Sequence, residues 1–182
     1  MITQSTRKLF SYCLLVLFIC AACSRTPPSA APESNASPAT SPAAQRITSE
    51  GVVRVAPQRV EIPAGGSAEA TVRMTIQSGY HVNANPPTFP YLKPTALEIS
   101  PSDGVSVAFV TYPKAVEKKF AFAEGPLAVY EGNTDVKAML KADKAAKKGE
   151  RSVPALLRIQ ACDDQVCYPP GTIELAIPLN VN

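Results

Sequence analysis

The run Ala68-Glu69-Ala70-Thr71-Val72-Arg73-Met74-Thr75-Ile76-Gln77 sets an apolar side chain at every second position and a polar one between. A period of two belongs to a strand with one buried and one wet face. Working outward, the period recurs. Val153, Ala155, Leu157, Ile159 and Ala161 share one face, with Arg158 and Gln160 on the other. Ile173, Leu175, Ile177, Leu179 and Val181 alternate with Thr172, Glu174, Ala176, Pro178 and Asn180. Val105, Val107 and Phe109 alternate more weakly with Ser106, Ala108 and Val110. Breakers separate the runs at Pro63-Ala64-Gly65-Gly66, Asn85-Pro86-Pro87, Pro101-Ser102-Asp103-Gly104 and Pro169-Pro170-Gly171. Short alternating strands with regular turn signals predict an all-β sandwich from about residue 50 to 182. Pro178 cannot donate to a ladder, which predicts an edge strand there. Asp135 to Lys148 has helix-forming composition, but Val136, Ala138 and Leu140 also alternate with polar neighbours. The expectation is a strand through about Ala142, then a loop ending at Gly149.

The first 49 residues are built differently. Arg7 and Lys8 precede an uncharged, mostly apolar run from Leu9 to Ala22. A spanning helix needs roughly 20 apolar residues, so this shorter run reads as a signal peptide over residues 1–22. It ends in Cys20-Ala21-Ala22-Cys23, which resembles the lipobox of bacterial lipoproteins except that Cys20 stands where Leu is usual. That resemblance implies cleavage before Cys23 and a lipid on its sulfur. Ser24 after it is compatible with outer-membrane sorting. Residues 24–49 are rich in Pro, Ala and Ser and poor in large apolar side chains, the composition of a semi-stiff tether. The expected location is the periplasmic side of a bacterial membrane, the outer membrane favoured.

The formal net charge of +3, from 18 basic and 15 acidic residues, is too balanced to point to nucleic acid. The densest basic stretch, Lys137 to Arg151, also carries Asp143 and Glu150 and reads as a solvated surface. Of the five cysteines, Cys13 and Cys20 leave with the signal peptide and Cys23 is taken by lipid. Cys162 and Cys167 remain. In an oxidising compartment a lone pair of nearby cysteines tends to be bridged.

Four residues separate Cys162 from Cys167, in Cys162-Asp163-Asp164-Gln165-Val166-Cys167-Tyr168-Pro169-Pro170. This is neither the CxxC of a helix start nor half of a zinc site with a second pair downstream. The two thiols should sit across a short hairpin, with Cα atoms near the roughly 5.5–6 Å a disulfide favours. A bridge closing so short a loop adds modest stability. On spacing alone, redox exchange and a plain structural staple stand level, with copper or zinc handling behind. Asp163 and Asp164 place negative charge beside Cys162 and should raise its thiol pKa, which suits a selective carrier.

The run Gln160 to Asp164 followed by Cys167-Tyr168-Pro169-Pro170 resembles the active-site segment of the amino-terminal periplasmic domain family of DsbD, the thiol:disulfide interchange protein. Gly79-Tyr80-His81-Val82-Asn83, Lys93-Pro94-Thr95, Tyr112-Pro113-Lys114 and Val129-Tyr130-Glu131-Gly132 resemble that family's upstream regions in order. The resemblance implies an immunoglobulin-like β-sandwich carrying the pair on a hairpin, with no cofactor or metal. It implies a carrier of reducing equivalents between thioredoxin-like domains. In that family the second cysteine, here Cys167, forms the mixed disulfide, and the first, here Cys162, resolves it. The family also shields its pair with an aromatic cap, matched by Phe120 or Phe122; Tyr168 either shields the sulfur or packs.

Three departures stand out. The cysteine spacing is one residue shorter than in the best-known member. Lys118 and Lys119 stand where that member is acidic. The family's membrane-embedded and thioredoxin-like parts do not follow, so the expected electron donor is a separate membrane protein. His81 is expected to be a hydrogen-bonded structural residue near a turn, since no second His exists to build a metal site. Tyr130 is expected to pack. The rival reading is a scaffolding or adhesion lipoprotein with a structural Cys162–Cys167 disulfide.

Overall fold

A computed structural model describes residues 46–182. The expected signal peptide, the expected lipidation site at Cys23 and the expected tether up to residue 45 lie outside the described residues. After a 3-10 turn at Glu50–Val52 the chain runs through twelve strands. These are β1 (Val53–Pro57), β2 (Val60–Ile62), β3 (Ser67–Ile76), β4 (His81–Asn83), β5 (Ala96–Ile99) and β6 (Val105–Thr111). Then follow β7 (Val116–Lys118), β8 (Leu127–Tyr130), β9 (Asn133–Ala142), β10 (Gly149–Ile159), β11 (Ala161–Cys162) and β12 (Gly171–Val181).

The alternating runs form the middle of two four-stranded sheets, ordered β1-β3-β9-β6 and β2-β12-β10-β5. In the first, β3 and β9 pair antiparallel, setting Val72 opposite Val136 and Ala70 opposite Ala138. In the second, β10 and β12 pair antiparallel along their whole lengths, from Gly149 opposite Val181 to Ile159 opposite Gly171. Their apolar faces meet in one core: Val72, Met74, Val136 and Leu140 from the first sheet, and Val153, Leu157, Ile177 and Leu179 from the second, are almost fully buried. Each such side chain contributes about 1.5–3 kcal/mol. The opposite faces carry cross-strand ion pairs such as Arg73–Asp135 and Lys137–Glu69. This is an immunoglobulin-like β-sandwich.

The ambiguous segment resolves as expected: β9 ends at Ala142, a turn closes with Ala146 N–H donating to Asp143 O at 2.9 Å, and β10 starts at Gly149. Two local expectations are corrected. Phe109 does not face the core; it is 58% exposed. A bulge between Val107 and Phe109 inserts a residue and reverses the parity of β6 beyond it. Pro178 is not on an edge strand, because β12 lies between β2 and β10. The three-residue β2 runs parallel to β12 and begins opposite Leu179, so its ladder does not reach Pro178.

A third, smaller sheet, ordered β11-β4-β8-β7, carries the cysteines. The chain leaves the second sheet at Gln160. Ala161 keeps the inward parity read from the sequence and is fully buried, but it pairs with Val82 of β4.

Candidate active site

Gln160 is the joint that delivers the cysteines. Its Oε1 accepts from Asn83 Nδ2 at 3.1 Å and from the Lys93 N–H at 3.0 Å, and its Nε2 donates to Tyr168 O at 3.3 Å. One side chain thus ties β10 to β4 and to the far side of the cysteine hairpin. Ser49, at the end of the expected tether, is fully buried under the same hairpin. Its Oγ accepts the Ala161 N–H at 3.0 Å and donates to Pro169 O at 2.7 Å.

Cys162 and Cys167 face each other across the hairpin and form a disulfide, with Cα atoms 3.9 Å apart, closer than spacing suggested. The Tyr168 N–H donates to Ala161 O at 2.8 Å and the Asp163 N–H to Val166 O at 2.9 Å. Asp163 organises the turn: Oδ1 accepts the N–H groups of Gln165 (2.7 Å) and Val166 (2.8 Å), and Oδ2 accepts the Tyr168 hydroxyl. The Tyr168 hydrogen bond and then the two backbone donors hold the Asp163 carboxyl below the ordinary carboxylate range. The same bond pushes the Tyr168 phenol up to about 12. Tyr168 also lies against Tyr80, ring centroids 6.0 Å apart, so it packs and braces Asp163 at once. Asp164 is exposed and sits 3.6 Å from Lys118 Nζ, which also pairs with Glu131 at 2.8 Å. Lys118 therefore links the hairpin to the end of β8.

The two cysteines are not equivalent. Cys162 is fully buried, whereas Cys167 is partly exposed, beside the exposed Val166. Phe120 is buried and stacks on His81 with centroids 4.1 Å apart; Phe122 is 40% exposed and stacks on Phe120 at 5.4 Å. Phe120 thus roofs the residue that stands opposite Cys162. Lys118 Nζ lies 5.4 Å from the Phe120 ring centroid. Lys119, the second basic departure, resolves no partner of this kind among the described ion pairs.

His81 corrects an expectation. It lies within β4, directly opposite Cys162 in the ladder, and neither ring nitrogen has a hydrogen-bond partner among the described residues. Burial, and then Lys118, push its pKa down to about 4, against the pull of Glu131, Asp164 and Asp163. Tyr130 packs as expected at 2% exposure, and its hydroxyl accepts the Asn85 N–H at 3.0 Å. Among the described residues no group of three or more His, Cys, Asp or Glu side chains is placed to hold a metal.

Sequence reading missed the roles of Gln160, Ser49, Lys118 and His81. His81 and Gln160 stood inside quoted motifs, but pairing β4 with β11 needs contacts that no local pattern encodes. Ser49 carried no signal beyond its position before the first turn.

The β-sandwich presents a bridged cysteine pair on a hairpin, with Cys162 buried and Cys167 partly exposed. The family described as thiol:disulfide interchange protein DsbD, N-terminal, matches residues 31–178, and the chain belongs to that family. It is a thiol–disulfide exchange domain. Among solved structures, the reduced DsbD N-terminal domain of Neisseria meningitidis is similar at 25% identity, covering 64% of this chain and 82% of that one, with a TM-score of 0.43. The complex between the DsbD and PilB N-terminal domains of the same organism gives 21% identity, 73% and 88% coverage, and 0.47. The N-terminal periplasmic domain of ScsB from Proteus mirabilis gives 12%, 70% and 45%, and 0.46. No curated protein matches the chain. No helix among the described residues is long and apolar enough to cross a membrane.

Proposed function

We propose that this domain relays reducing equivalents between extracytoplasmic proteins as a protein-disulfide reductase. It is loaded by a membrane electron donor and unloads onto thioredoxin-like domains. The observation that carries the proposal is the asymmetry of the bridge: Cys167 is partly exposed and Cys162 fully buried. A partner thiolate reaches the Cys167 sulfur. The new bond joins partner to Cys167, the old bond breaks, and Cys162 leaves as the thiolate. A second partner thiolate then releases the first partner oxidised and leaves the domain's pair reduced. Running in reverse, the reduced pair opens a downstream disulfide, and Cys162 resolves the mixed disulfide on Cys167.

Phe120 serves as the cap over this exchange, with Phe122 outside it. Asp163 and Asp164 disfavour the Cys162 thiolate and restrain exchange outside a complex. The domain works on the periplasmic side of a membrane, held by lipid on Cys23, the outer membrane favoured by Ser24. The test is trapping. Cys162→Ser leaves Cys167 joined to a thioredoxin-fold partner as an adduct that dithiothreitol dissolves, and Cys167→Ser gives none. A bridge that reduced thioredoxin-type proteins leave closed, with a potential below about −300 mV, would make it a structural staple.

A further inference from the structure

His81 is fully buried in β4 and makes no hydrogen bond to any described residue through either ring nitrogen. A buried polar group without a partner is rare and calls for a reason. The ladder supplies one. His81 and Cys162 are directly opposed on adjacent antiparallel strands, so their side chains leave the same face with Cβ atoms about 4.5–5.5 Å apart. Phe120 stacks on the imidazole and keeps water from it. In the closed bridge, the Cys162 sulfur is a poor acceptor. A thiolate there is a strong one, and burial denies it water.

We propose that His81 is the hydrogen-bond partner of the Cys162 sulfur in the opened state, an imidazole left unpaired by the disulfide and satisfied when the disulfide breaks. The role rests on the exchange reaction described above and adds a residue to it. When a partner thiolate attacks Cys167, one S–S bond forms and one breaks. The partner sulfur is oxidised, and the electron pair of the broken bond lands on Cys162. The imidazole N–H donates to that sulfur; no proton is gained or lost overall. The other charged groups facing His81 are Lys118, Glu131, Asp163 and Asp164. Three are anions, which raise the cost of a thiolate beside them and so raise the value of an N–H donor. Burial keeps the ring neutral at neutral pH, with one donor nitrogen and one acceptor nitrogen. The arrangement favours the reduced form, because opening the bridge pairs a group that closing it leaves orphaned.

The test compares full-length wild type with His81→Phe and His81→Gln. At equilibrium with glutathione redox pairs, His81→Phe shifts the balance about tenfold toward the disulfide, ~30 mV for this two-electron couple. His81→Gln, which keeps an N–H donor, recovers part of the shift. In reduced protein the Cys162 thiol pKa, followed by its 13Cβ shift, rises in His81→Phe. In wild type alone, the imidazole 15N shifts differ between oxidised and reduced protein, a readout that survives if either variant fails to fold. Identical 15N shifts in the two redox states, or a His81→Phe equilibrium within twofold of wild type, would overturn the proposal. Failure of the relay reading looks different: wild type itself does not exchange with reduced thioredoxin-fold proteins, whatever the glutathione equilibrium shows.

Discussion

His81 couples the site to pH as well as to redox state. Its pKa falls from the ordinary 6.5 to about 4 on folding, so the unfolded chain binds the proton more tightly than the folded one. The sign follows: the penalty is absent above pH 6.5, grows as pH falls toward 4, and is complete below it. On the order of 2 kcal/mol of stability should be lost across that window, after discounting for relaxation around the ring. Urea midpoints measured from pH 7 to pH 4 should fall in wild type and fall less in His81→Phe; equal slopes would refute this. Asp163 makes a second prediction. Its bond to Tyr168 pushes the phenol from 10.0 to about 12. In Asp163→Asn the Tyr168 phenol should titrate back near its ordinary value, read by ultraviolet difference absorbance. The same change weakens the acceptor for the Gln165 and Val166 N–H groups and loosens the hairpin. Asp163 was legible as a charge beside Cys162; its part in the turn was not, because an Asx turn depends on which way the backbone bends.

At the scale of elements, the hairpin is held from behind by two side chains. Gln160→Ala removes three hydrogen bonds that join β10, β4 and the strand leaving Cys167. At ~0.5–1.5 kcal/mol for each bond, the variant should lose about 2–3 kcal/mol in urea unfolding. Hydrogen exchange should quicken at the Cys162–Tyr168 hairpin and stay unchanged in β3 and β9. Ser49→Ala leaves the buried Ala161 N–H unpaired and should cost about 1–3 kcal/mol. The long strands were readable because ten or eleven alternating residues outlast any noise in composition. β4, β7 and β11 were not, since two or three residues cannot show a period. The bulge in β6 likewise has no signature in side-chain type, and it moved Phe109 from the core to the surface.

For the whole molecule, the core between the two large sheets carries the fold, and the disulfide closes only a short loop. Chain-entropy arguments put such a bridge at about 2 kcal/mol. The reduced protein should therefore stay folded, with an unchanged far-ultraviolet circular dichroism spectrum and a modestly lower unfolding midpoint. Collapse of the sandwich on reduction would show that the bridge is structural. A scaffold indifferent to the state of the Cys162–Cys167 bridge suits a thiol–disulfide exchange domain.

Alternation and turn residues were enough to give an all-β sandwich with Cys162 and Cys167 on a hairpin, because burial on one face of a strand constrains each second residue locally. The motif around Cys162 and Cys167 carried the family for the same reason: its residues are contiguous. Strand order, the step from one sheet to the next at Gln160, the burial of Ser49 and the meeting of His81 with Cys162 depend on contacts between residues far apart in the chain. Those contacts are chosen by how whole faces pack, which is why the unequal burial of the two cysteines emerges only in the folded molecule.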